Sequence, residues 1–477
     1  MSSAPNILII ISDHLSPEAI GAYGNPYGCT PNIDRVAQQG VRFGSVYATC
    51  PLCQPSRASF WSGRLPHETN VLSNGRQHQN GPLPENLATV GDLFSAAGYR
   101  AIHFGKTHDF GTLRGFECVP AEQRESDEPP HPAWPENYDT LRDNDTTDKA
   151  AAWLRDPGET PFIAVADLNN PHNICGWVGE NSAYDGPAEP VPVPGELPPL
   201  PENFRVEDMA ERPLPVQHIC CSHRRLTQAA HWSETMYRHY IAAYQHYTEL
   251  ADRKIGLILD ALHSTGAGEN TLVLIMADHG DGQAHHGMVT KQTSFYEETT
   301  RVPFILQGPG IPADGAAIDT PLVSLLDLMP TLCDYADIAA PTGIRGRSVL
   351  PLVRGETTDH HPYVVSEWHT EFGFVISPGR MLRTQHYKYT RYLEGDGEEL
   401  YDMVNDPGET RTLIHDPAYA DVLNEHRRLL DEHIRRTNDP FSDLEVVAAP
   451  RWRNHPPGYT NHQGPSPVIA VEQGESL

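Results

Sequence analysis

The chain has 477 residues, 39% of them apolar, enough to bury one large core and a smaller second one. Its formal charge of −28, from 63 acidic and 35 basic side chains, excludes the basic footprint of a nucleic-acid binder and disfavours adhesion to anionic membranes. Eight irregularly spaced cysteines resemble neither a disulfide framework nor a zinc ribbon, and no apolar run is long enough to span a bilayer.

Residues 1–6 lack a basic segment and a cleavage site, so a chain starting at Met1 is expected to stay in the cytoplasm. The apolar run 7–11 predicts a buried strand that ends at Asp13-His14. A helix over 32–39 and a strand over 41–47 follow, and then Cys53 opens a helix. A helix is expected over 87–97 and a strand over 99–104, ending at Gly105-Lys106-Thr107-His108. The strand 162–168 runs out at Asn169-Asn170-Pro171-His172. This β-α-β-α order predicts a largely parallel sheet covered by helices on both faces.

Residues 187–215, dense in proline and acid, predict an inserted lid or binding loop, with disorder as the competing reading. A long amphipathic helix over 233–262 stops at Gly266-Ala267-Gly268, and the strand 271–276 then delivers Asp278-His279. From 356 the texture changes to short strands at 363–366, 374–376, 381–384 and 387–389, with a helix over 416–436. The expected organisation is an α/β domain over 1–355, a small antiparallel α+β domain over 356–438, and an irregular tail over 439–477. Trp452 and Tyr459 would anchor that tail on a partner subunit of a homo-oligomer, with plain disorder as the alternative.

Two separate apolar strands deliver Asp-His as they end. Ligands of parallel sheets bind beyond the carboxyl ends of the strands, so Asp13 and Asp278 are expected to converge on one cation. A single strand-end aspartate is more often a helix cap; a pair is harder to explain that way.

The run Cys53-Gln54-Pro55-Ser56-Arg57, followed by Ser62-Gly63-Arg64, resembles the signature of the type I, formylglycine-dependent sulfatases of the alkaline phosphatase-like superfamily. Asp13-His14, Asp278-His279, Lys106-Thr107-His108, Pro171-His172 and Lys291 extend the likeness over about 5–435. One departure is that sulfatases often carry Asp, Asn or Gln where His14 and His279 stand, and imidazole admits softer metals. The resemblance implies a large, mostly parallel sheet sandwiched by helices, with a smaller C-terminal antiparallel sheet. It implies Cys53 oxidised to formylglycine and a cation, Ca2+ with Mn2+ or Mg2+ as alternatives, held by Asp13, His14, Asp278, His279 and residue 53.

In that mechanism the hydrated aldehyde attacks sulfur, Asp278 takes its proton, and Arg57, Lys106 and Lys291 neutralise the sulfate oxygens. His172, with Lys291, protonates the leaving group, and His108 deprotonates the second hydroxyl to free sulfate. The implied substrate is a small sulfated carbohydrate. His67, Asn74, Arg76, His78, His223, Arg224, Arg225 and Trp232 are the rim candidates, and a maturation enzyme must oxidise Cys53. Two rival readings remain: a phosphonate monoester or phosphodiester hydrolase of the same superfamily, and a non-catalytic binder of sulfated ligands if Cys53 stays a thiol.

Overall fold

An apolar strand with no polar face needs cover on both sides. In the computed structural model, β1 (Asn6–Ser12) accordingly lies inside an eight-stranded sheet. The structure describes residues 4–74, 81–122, 138–181, 196–208, 211–213, 215–216, 229, 232–291, 294–369, 378–393 and 397–444. Along the chain follow β2 (Val41–Phe43), β3 (Val46–Tyr47), β4 (Arg100–Gly105), β5 (Glu117–Pro120), β6 (Phe162–Leu168), β7 (Thr271–Met276), β8 (Phe304–Gln307), β9 (Ala316–Ile318) and β10 (Val323–Ser324). The sheet order is β5-β4-β6-β1-β7-β8-β2-β9, parallel throughout except that β8 runs against both neighbours.

The helices α1 (Pro31–Gln38), α2 (Cys53–Ser62), α3 (Val90–Ala96), α4 (Tyr138–Leu154), α5 (Ile174–Glu180), α6 (Glu234–His263) and α7 (Leu328–Tyr335) accompany this sheet. The expected strand over 41–47 is two strands. At Gly44-Ser45 the chain leaves the large sheet, and β3 pairs with β10 instead. Helix α4 is a departure from the expected pattern, because its polar, aspartate-rich sequence shows no clear apolar stripe. The reason is tertiary: Asp143 is fully buried and accepts the backbone N–H groups of Asn169 and Asn170 at 2.6 and 2.8 Å, fixing the loop that leads to His172.

The second sheet is antiparallel, in the order β11 (Tyr363–Trp368), β12 (Gly379–Thr384), β13 (Tyr387–Tyr392) and β14 (Glu398–Asp402). Its two faces part company. Val365, Leu382, Tyr389 and Leu400 pack on Leu423 and Leu430 of α8 (Ala420–Thr437), while Val364, Met381 and Tyr401 join the large core. The small unit is therefore built onto the large one through a shared apolar face. The strand expected at 374–376, the tail anchors Trp452 and Tyr459, and part of the 187–215 insertion lie outside the described residues. No helix among the described residues is long and apolar enough to cross a membrane.

Candidate active site

Strand register brings the distant acidic residues together. Ile11 of β1 pairs with Met276 of β7, so the residues two further on, Asp13 and Asp278, leave the sheet side by side. On the other flank Asp167 of β6 pairs with both Ile11 and Gly105, and Lys106 follows directly after β4. Four adjacent parallel strands thus present Lys106, Asp167, Asp13 and Asp278 along one carboxyl edge.

Helix α2 points its N-terminus at this edge. Its first residue, Cys53, is fully buried, with Sγ 3.1 Å from His279 Nε2, 3.2 Å from Lys291 Nζ and 4.0 Å from Asp13 Oδ1. The His108 ring is near enough to interact electrostatically with the sulfur. One turn later Arg57, 1% exposed, binds three carboxylates: Asp278 through Nε at 2.8 Å, Asp13 through Nη2 at 2.9 Å, and Asp167 through Nη1. Lys106 Nζ adds a contact to Asp13 at 2.6 Å. The sequence places Arg57 among the groups that neutralise the sulfate oxygens, whereas here its guanidinium is occupied by aspartates. Asp167 was missed, although a carboxylate within an apolar strand needs a buried partner and could have signalled one.

The electrostatics follow from this crowding. Burial pushes the Asp13 carboxyl up, but Lys106, His172, Arg57 and Lys291 hold it well below the usual carboxylate range. Asp278 goes the other way: burial and the neighbouring Asp13 raise it to about 6, against Arg57 and His279. Burial and Asp13 raise the Cys53 thiol, yet Lys291, Lys106 and His279 outweigh them and draw it well below an ordinary thiol. The position is thus built to carry negative charge, and the start of a helix adds to that.

Asp13, Cys53, Asp278 and His279 each offer one ligand atom, all within 4.8 Å of one another and all buried. His279 donates Nδ1–H to the Gly280 carbonyl at 2.9 Å, which leaves Nε2 facing the cluster as a ligand nitrogen. Two carboxylates, an imidazole and a position made for an anion fit a divalent cation. His14 is not in this group. Its Nε2 lies 3.1 Å from Asp281 Oδ2 in poor hydrogen-bond geometry, and its ring stands 4.8 Å from that of His279. Asp281 itself is fixed by Tyr240 OH and the Gln283 N–H.

Gly280 keeps the second half-site in place. A Cβ there would meet the Glu298 carbonyl oxygen at 1.9 Å, so the backbone beside His279 would have to move. Gly280→Ala is expected to cost about 1–3 kcal/mol in thermal unfolding and to lower metal affinity. An unchanged melting temperature with full metal content would contradict that.

Beyond Cys53 a cleft of about 200 Å³ is lined by Lys106, His108, Arg142, Asn169 and His172, which suits a leaving group. Arg142, on the unexpected helix α4, was not anticipated. Several rim candidates sit elsewhere. Asn74 accepts the Gln54 backbone N–H at 2.9 Å and so caps α2. Trp232 packs among Trp177, Tyr237 and Tyr240 and donates Nε1–H to the Asn181 carbonyl, making it a core residue. Arg76, His78, His223, Arg224 and Arg225 lie outside the described residues.

His67 is also internal. Its Nδ1 is 2.8 Å from Glu367, in a network where Arg380 grips Asp439 at 2.6 Å. Burial alone would push the imidazole down, but Glu367 raises it to about 9 from 6.5. A raised folded value means that this ion pair's stabilisation is complete below about 6.5 and is lost as pH climbs through about 9. Urea unfolding is expected to show stability falling across that window, and His67→Gln is expected to flatten the slope. Parallel profiles would contradict the pairing.

A family model described as Sulfatase matches residues 5–338, and one described as N-sulphoglucosamine sulphohydrolase, C-terminal, matches 284–436. A Delta 4,5-hexuronate-2-O-sulfatase of Bacteroides thetaiotaomicron is 55% identical over 464 residues, 97% of this chain and 95% of its own length. The solved structure of a 2-O GAG sulfatase superposes with a TM-score of 0.92 at 54% identity, covering 97% of this chain and 99% of that one. The phosphonate monoester hydrolase of Agrobacterium radiobacter shares the fold, with a TM-score of 0.75 at 20% identity over 91% and 96% of the two chains.

Proposed function

Because the chain belongs to the sulfatase family and is a sulfuric ester hydrolase, we propose that it removes the 2-O-sulfate from a Delta 4,5-unsaturated hexuronate in a small glycosaminoglycan-derived saccharide. The observation that carries the reading is the Cys53 sulfur within 4.0 Å of His279, Lys291 and Asp13 at the start of α2. The named relative's high identity supports the sulfate ester over the phosphonate reading, which rests on fold likeness alone.

When formylglycine replaces Cys53 and a divalent cation sits with Asp13, Asp278 and His279, they supply a hydrated-aldehyde nucleophile and the positive charge that polarises the sulfate. The chain's own residues do the rest. Lys291 and Lys106, both desolvated, face the sulfate oxygens as charge develops. His108 is poised beside residue 53 to take a proton; burial and Lys106 lower its pKa, which keeps the ring unprotonated and so able to receive one. His172, on the cleft wall, serves the leaving oxygen with a proton, and Arg142 on the same wall suits the uronate carboxylate.

The test compares two unsaturated disaccharides that differ in sulfate position. Sulfate release from the 2-O-sulfated one, with an aldehyde found in the peptide containing residue 53, is expected. Release from the 6-O-sulfated one alone would overturn the positional assignment. A persistent thiol with no release from either would favour a sulfated-ligand binder.

A further inference from the structure

Away from Cys53 the described residues hold three further clusters of acid and imidazole. His67 with Glu367 and Asp439, and His286 with Glu298 and Glu409, are closed by Arg380 and Lys388 respectively. The third, Asp327 with His360 and His361, borders a cleft of about 270 Å³ between the large domain and the small sheet. Asp327 is saturated: it accepts from His360 and His361 at 3.0 and 2.8 Å and from the backbone N–H groups of Ser324 and Arg347 at 2.9 and 2.7 Å. Its lone pairs are used, so the triad is a buttress and the cleft is the feature of interest.

In a chain of charge −28, this cleft is lined by Arg345, Arg347, Arg436, His361 and His433. Arg345 is neutralised by Glu68 at 2.6 Å. Among the described residues no carboxylate pairs with Arg347 or Arg436. Arg347 Nη1 donates to the His360 carbonyl at 2.7 Å and Arg436 Nη2 to Tyr363 OH at 3.0 Å, which leaves both guanidinium groups with donors to offer. His433 is 6% exposed, yet neither ring nitrogen has a hydrogen-bond partner. A buried polar group left unpaired costs about 1–3 kcal/mol, so a ring in that state on a cationic cleft points to a missing acceptor. Burial drops its pKa to about 4, so near neutrality it offers one N–H.

We propose that this cleft is a second binding site, for a tetrahedral oxyanion of the sulfate class, contacted by Arg347, Arg436 and His433. It is separate from the reacting position. Arg345 N–H bonds Gly63 O at the far end of α2, and the ten residues of that helix span about 15 Å from Cys53. The oxyanion arrives either as free sulfate or as a substituent on a sugar ring, for which the cleft has room. Its position at a domain interface, where ligand sites concentrate, is in keeping with this.

The test uses full-length protein labelled with 15N-histidine, titrated at constant ionic strength with sodium sulfate and, separately, with glucosamine 6-sulfate. The His433 signals are identified by their loss in His433→Phe, which removes no hydrogen bond and is expected to fold. A saturable shift of these signals beyond that caused by sodium chloride is expected, and it should vanish in Arg347→Ala/Arg436→Ala while sulfate release stays unchanged. About tenfold tighter response to the sugar identifies the sulfated sugar as the ligand, and equal response identifies the free ion. Signals that move no more than in chloride, or that still shift in the double variant, would overturn the proposal.

Discussion

Cys53→Ala is expected to lower kcat/KM for sulfate release by roughly 10⁴-fold or more, with a folded protein left behind. The neighbours explain the size of the effect. Lys291, His279, His108 and Asp13 all converge on this one side-chain position. Neither Ser56 nor Cys50, the neighbouring hydroxyl and thiol among the described residues, is placed to substitute for it. Ser56 donates its hydroxyl to the Asp278 carbonyl at 2.7 Å, and burial, with Glu367 adding to it, pushes the Cys50 thiol well above the ordinary value. Truncating this one small buried side chain is expected to cost only about 1 kcal/mol, so activity and stability should separate. Steady-state kinetics beside thermal melts check this, and a variant that keeps a tenth of the wild-type rate would remove residue 53 from the chemistry.

Arg57→Met is expected to fail for the opposite reason, through stability. The methionine fills much of the volume but leaves Asp13, Asp167 and Asp278 buried with one fewer cation among them. Breaking a buried pair from one side typically costs about 3–5 kcal/mol, and here three carboxylates lose the same partner. Arg57→Lys should recover little, because an ammonium cannot repeat the three-way guanidinium geometry. Chemical denaturation with a chelator present isolates the loss. A destabilisation below about 1 kcal/mol would show that the carboxylates are satisfied without Arg57.

Both effects trace to features that differ in how far the sequence discloses them. The apolar runs of β1, β6 and β7 are legible because strands buried on both faces are almost wholly apolar, Asp167 being the exception within β6. The Asp-His pairs that follow β1 and β7 are equally plain, and parallel register then places Asp13 beside Asp278. What the sequence hid was tertiary. Helix α4 packs Ala150, Ala151 and Leu154 into the large core and commits Asp143 to the 169–170 backbone, a long-range contact with no local signature. Arg142, carried on that helix, was hidden with it. Asn74, His67 and Trp232 carry functional-looking chemistry, but packing assigns them to a helix cap, an ion network and the core, while His14 stands beside His279 without joining its ligand group. Residue type shows what a side chain can do, while long-range neighbours decide whether it is used.

The central claim is that residue 53, Asp13, Asp278 and His279 share one divalent cation. The most direct measurement is an anomalous difference map from crystals of the active protein grown with calcium. A single peak about 2.3–2.6 Å from carboxylate oxygens of both Asp13 and Asp278, beside His279 Nε2 and the oxidised residue 53, is the predicted result. An active protein whose cation lies elsewhere, with Asp13 and Asp278 held by Arg57 alone, would contradict the account.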